Sequence, residues 1–212
     1  MFAINHAATA LIIKKEFVNV PIIWILISVQ FMELLWVILN FLGIEKTTTE
    51  KEVKYVGDVH LSYMPFSHSV VTMVGTALLA WFIISIGLNY PDIGFAVGIG
   101  IISHLILDLI THGNDIAIFP FIIGPKIGLG LYAKYPIAAF FLEIGYGIFC
   151  WWMYRGDWIL LAIIVLFNVA NISMFFPAVA GIEKYMANRP RLIASVIFFQ
   201  ILSTLTFVGI FS

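Results

Sequence analysis

The stretch GIISHLILDLITHGND, residues 100–115, has the apolar content of a helix in lipid, yet His104, Asp108 and His112 recur in it at every fourth position. On an α-helix that spacing holds all three in one sector of ~80°, with ~6 Å of rise between neighbours. Asp108 can therefore share an ion with His104 or with His112, whereas the two histidines, ~12 Å apart, cannot easily share one. An ionisable group at the centre of a bilayer costs on the order of 3 kcal/mol even on lenient scales, so each of these needs a partner or a task. A neutral hydrogen-bonded packing contact between helices meets that need for His104 and Asp108. So does a metal ion.

The rest of the chain sets the environment. Of its 212 residues 62% are hydrophobic and 11% charged, and the mean hydropathy is +1.04, which excludes an ordinary soluble domain. Eleven Lys and Arg against twelve Asp and Glu leave a net charge of −1 and no basic patch, so lipid is expected as the partner and nucleic acid is not. Cys150 is the sole cysteine; a metal must then be held by His and carboxylate, without a CxxC pair.

Apolar runs at residues 21–42, 68–88, 93–110, 137–154, 158–180 and 192–211 are long enough to span. An apolar helix at about residues 2–13 is too short for a bilayer of ~30 Å and is expected to dip in from one face. Lys14 and Lys15 follow it instead of preceding it, unlike a cleaved signal peptide. The expected fold is all-α: a polytopic membrane helix bundle of six transmembrane spans plus a short N-terminal helix, forming one integral membrane domain over residues 1–212. Between the spans, only residues 45–65 are polar enough for an extended loop outside the membrane. Alternating spans put Lys46, Lys51, Lys54, Lys126, Lys134, Lys184, Arg189 and Arg191 on one side and Lys14, Lys15 and Arg155 on the other. The richer side is expected to be cytoplasmic, with Trp151, Trp152, Tyr154 and Trp158 in the opposite aromatic belt.

Further ionisable residues can converge on that cytoplasmic half. His68 lies in MPFSHSVV, where Ser67 is a plausible N-cap and His68 falls in the first helical turn. Glu33 sits past the middle of its span in VQFMELLWV, and His6 projects from the short first helix. Imidazole with carboxylate is the ligand set of Zn²⁺, or of Mn²⁺ or Fe²⁺. His68, His104 and Asp108 are read as core ligands, Glu33 as ligand or general base, and His6 as fourth ligand or orienting group. His112, nearer the mouth, serves a second ion or acts as an acid or base. Singly, each has a structural alternative in capping or packing. Glu143, Asn168, Asn171 and Gln200 read as hydrogen bonds between helices, and Gly94 with Gly98 as a close helix contact. The loop FPFIIGPKIGLGLYAKYP, residues 119–136, lacks the G-K-[ST] ending of a phosphate loop, but Lys126 is placed to face a phosphate head group.

NHAATA, PFSHSVV and GIISHLILDLITHGNDIAIFPF together resemble the YdjM-like family, LexA-binding, inner-membrane-associated metal-dependent hydrolases. The family pattern is an early His, an acidic motif, a T/S-H-S-L motif and an S-H-x-x-x-D segment followed by a proline-containing loop. The resemblance covers roughly residues 1–136 and implies that His6, His68, His104 and Asp108 are metal ligands. Glu33 stands at the family's acidic position, but Met32-Glu33-Leu34-Leu35 lacks the second acid and the His found in some members. The function expected is a metal-dependent hydrolase of a lipid or lipid-linked (phospho)ester at the cytoplasmic leaflet. A proton- or metal-ion-coupled transporter using the same cluster is the first rival. A non-catalytic protein that docks a partner through residues 45–65 is the second.

Overall fold

The computed structural model describes residues 1–121 and 124–212; Ile122 and Ile123, in the loop 119–136, lie outside the described residues. In chain order the elements are α1 (Ala3–Glu16), α2 (Ile22–Phe41), β1 (Lys46–Thr49), β2 (Val59–Tyr63), α3 (Val70–Phe82), α4 (Pro91–Thr111), β3 (Ile116–Ala117), β4 (Lys126–Ile127), α5 (Leu131–Lys134), α6 (Pro136–Tyr154), α7 (Trp158–Ala170) and α8 (Pro190–Phe211). The fold is mostly helical, and α2, α4, α6, α8 and α3 with its π-helical extension to Gly87 are long and apolar enough to cross a membrane.

That makes five helices of spanning length among the described residues, against six expected. The run 158–180 is α-helical only from Trp158 to Ala170, ~20 Å of rise against a hydrocarbon core of ~30 Å. Its end is built by polar side chains: the amides of Asn168 and Asn171 donate back to the carbonyls of Ile164 and Phe167. A 3₁₀ turn follows at Ile172–Met174, and Pro177 disfavours α geometry at the residue before it.

The short first helix is enclosed by the bundle, with only its Lys15–Glu16 end exposed. Ten of its 14 residues are buried, and it packs on α2, α4, α6, α7 and α8. Its small residues Ala7, Ala8 and Ala10 are fully enclosed, which lets the surrounding helices approach closely. Around it, α4 approaches its neighbours through glycines. A Cβ at Gly94 would collide with Ser85, one at Gly98 would touch Trp81, and one at Gly100 would collide with Ser28 of α2.

All the longer connections lie at one end of the bundle and interlock there. The polar segment 45–65 is a hairpin rather than an extended loop, with β1 antiparallel to β2 and Thr48 opposite His60; three successive β-branched threonines favour that conformation. Lys126 of β4 donates to the carbonyls of Leu61 and Ser62 at 3.1 and 3.0 Å. The Val71 amide donates to the Ile118 carbonyl, and the Asn188 amide donates to Thr49 Oγ1. At the opposite end, Lys15 and Arg155 share the wall of a small cavity with Trp151 and Trp152. The two sets of charges are thus separated along the bundle as the alternation of spans requires.

Candidate metal centre

Four side chains from three segments meet where α2 and α4 enter the interlocked loops. Glu33 comes from α2, His104 and Asp108 from α4, and His68 from the residues just before α3. His68 is not in the first turn of its helix. Ser69 is the N-cap, in extended conformation, and its hydroxyl accepts from the Thr72 amide; Ser67 is thereby freed for another contact.

His68 Nε2 lies 3.3 Å from Glu33 Oε2 and 3.4 Å from Asp108 Oδ2. His104 Nε2 lies 3.6 and 3.1 Å from the same two oxygens. All four ligand atoms fall within 4.8 Å of one another. A tetrahedral ion with bonds of about 2.0–2.1 Å spaces its ligands about 3.3 Å apart, so the cluster has the dimensions to hold a divalent ion. His104 Nε2 and Asp108 Oδ2 are both buried with no hydrogen-bond partner, which is costly without a shared partner.

The histidine tautomers are set by what lies behind them. His104 Nδ1 is 2.9 Å from the carbonyl of Val29; a carbonyl only accepts, so the proton is on Nδ1 and Nε2 keeps its lone pair. Ser67 Oγ donates to Glu45 Oε2, and therefore accepts from His68 Nδ1 at 2.7 Å. Glu45 is itself held by the amides of Phe66 and Ser67 at 2.8 and 2.9 Å. This is the usual support of a metal-binding imidazole, with one hydroxyl interposed. Burial opposes a proton on the His68 ring, but the neighbouring carboxylates of Asp108 and Glu33 outweigh it and push its pKa up to about 10, so an ion bound at Nε2 takes the place of a proton.

His6 stands beside the four ligands rather than among them. Its Nε2 is 3.3 Å from the other Asp108 oxygen, Oδ1, and its ring stacks on His104 at 4.0 Å. The amino group of Met1 donates to the same Oδ1 at 2.8 Å, so Asp108 is held through Oδ1 while Oδ2 faces His68 and His104. His112 is the residue at which α4 ends; its Nε2 is 3.8 Å from Asp108 Oδ1 and its side chain is partly exposed. Burial lowers its pKa to about 4 against the pull of Asp108.

A cavity of about 420 Å³ opens onto Glu33, His6, His68 and His112. Lys126 is not in its wall, because its ammonium is tied to the β2 carbonyls as described above. Glu143 accepts from Asn5 and from the Tyr132 hydroxyl, and Asn5 also donates to Asn168 Oδ1 at 2.9 Å. That buried knot joins α1, α5, α6 and α7 and suits the packing role read from the sequence. Gln200 donates to Asn171 Oδ1, another link between helices.

Sequence reasoning missed Glu45 and the part played by Ser67. Glu45 opens the one polar segment, where a charge reads as solvated, and no spacing rule links it to a serine 22 residues later. Comparison with known protein families, characterised proteins and solved structures gave no match.

Proposed function

We propose that the protein is a membrane-embedded metal-dependent hydrolase acting on a lipid or lipid-linked (phospho)ester at the cytoplasmic leaflet of the inner membrane, as the resemblance to the YdjM-like family implies. The observation that carries this reading is the set of four mutually close ligand atoms, two of them buried without any other partner. Two nitrogens and two carboxylate oxygens suit Zn²⁺, with Mn²⁺ or Fe²⁺ as substitutes. When bound, such an ion supplies Lewis acidity and a water of pKa about 7.

The chain's own residues do the rest. Glu33, His68, His104 and Asp108 hold the ion, and His6 orients Asp108 through Oδ1. Of the four ligands, Glu33 and His68 border the cavity, and Glu33 serves there either as ligand or as the general base for a water entering from it. His112, at the cavity wall, exchanges a proton with the leaving group at Nε2. The transporter reading needs polar groups continuing past the cluster; beyond Asn5, Thr9, Ser28, Glu143 and Asn168 the buried side chains of α1, α2 and α4 include the apolar Leu11, Ile25, Leu26 and Ile101, which ranks it second.

Assaying metal-loaded and chelator-stripped protein against a panel of lipid esters and phosphoesters tests the proposal. Turnover that appears only with metal, and falls 10²-fold or more in His112→Ala, is expected; no turnover of any panel member by the loaded protein would contradict it.

A further inference from the structure

The cavity does not stop at the metal centre. It continues along α8, where Ile193, Val196 and Ile197 line it, and their spacing puts them on one helical face. Trp36 of α2 and Met174 and Met186 of the connection between α7 and α8 complete this apolar limb. The methionines give it an adaptable surface. The whole cavity is about 420 Å³; at roughly 10–15 Å³ of such space per water-sized group, it has room for an alkyl chain together with its head.

The charge of the wall narrows the head group. Among the described residues that line the cavity there is no Lys or Arg, while Glu33 and Asp115 both face it. Lys126, the residue that the sequence offered for a phosphate, is held by Leu61 and Ser62. A bound ion would be the charge that draws an anionic phosphate, whose other oxygens would find Asp115 and no lysine or arginine in the wall, whereas an uncharged carbonyl needs no such partner.

Resting on the hydrolase reading, we infer that the substrate is a lipid ester or amide, with an alkyl chain in the limb walled by α8 and its uncharged scissile carbonyl at Glu33, His68, His104 and Asp108. The part of the chain without a recognisable motif thus supplies the specificity, and the motif-bearing part supplies the chemistry.

The test uses cobalt-loaded full-length protein in lipid nanodiscs, with the visible cobalt spectrum reporting ligands at the metal. The probes are acetohydroxamic and decanohydroxamic acid, neutral in solution at two chain lengths and passing a proton to Glu33 as they chelate, with decylphosphonate, already anionic in solution, as the rival. Burial of the chain is worth up to about fourfold per methylene, so decanohydroxamate should bind at least a hundredfold tighter than acetohydroxamate, and tighter than decylphosphonate. Val196→Trp, which fills the limb, should cut the chain-length ratio tenfold or more with acetohydroxamate affinity and cobalt content unchanged. If the tryptophan variant loses its cobalt, Val196→Ser, which removes apolar surface without adding bulk, carries the same expectation. An unchanged ratio in a variant that keeps its cobalt, or tighter binding of the phosphonate, overturns the inference alone. A wild-type protein that takes up no cobalt overturns the metal reading beneath it.

Discussion

His68 offers its Nε2 to the cluster because Ser67 takes the proton on the other side of the ring, and Ser67 can accept it only because Glu45 takes the hydroxyl proton. Replacing Glu45 by Gln, or Ser67 by Ala, leaves every ligand in place but releases the ring. Metal affinity should fall 10–100-fold in either variant, read by competition with a chromophoric chelator. An affinity equal to wild type would mean that the relay does not position His68. These residues also mark how far the sequence carries. His104 and Asp108 are legible because a helical spacing of four places both on one face. His6, Glu33 and His68 are legible because ionisable groups in apolar runs need a reason. Glu45 is not, since its burial comes from a hairpin that folds it back on Ser67. Lys126 misleads for a related cause, since its ammonium is spent on the carbonyls of Leu61 and Ser62 in that hairpin.

At the scale of the elements, the α2–α4 contact matters most, because α2 carries both Glu33 and the Val29 carbonyl that holds His104. The contact is close enough that a Cβ at Gly100 would collide with Ser28 and approach the Val29 amide at 3.3 Å. Gly100→Val should therefore push the helices apart, destabilise the protein by about 1–3 kcal/mol and reduce metal occupancy, as a thermal melt and metal content would show. Gly145→Val is the control, since nothing lies within 4 Å of a Cβ there, and it should change neither. Hydropathy located the spans because lipid demands long apolar helices. It overran α7 because Asn168, Asn171 and Pro177 are few enough to pass within an apolar run, although they end the helix. The hairpin β1–β2 escaped because a polar segment carries no burial pattern to read.

For the molecule as a whole, the interlocked connections 42–69, 112–135 and 171–189 share one end with the metal centre, and Lys15 and Arg155 mark the other. Single cysteines at exposed Glu52 and Lys184 should react with a membrane-impermeant maleimide only when the cytoplasmic face is accessible, and one at Glu16 only from the opposite face; Cys150 is buried and should stay silent. Labelling of Glu52→Cys and Glu16→Cys from the same side would contradict the arrangement. Spans alone do not make the site: it needs α2, α4 and the segment before α3 brought to one point, which no single stretch of sequence encodes. The most direct measurement is therefore the metal content of the purified protein beside His68→Ala and His104→Ala. The account predicts near-stoichiometric zinc, manganese or iron in the wild type and its loss in both variants, because each removes one of four ligands from a different segment. Wild-type protein without metal after reconstitution, or variants that keep it in full, would contradict a shared centre.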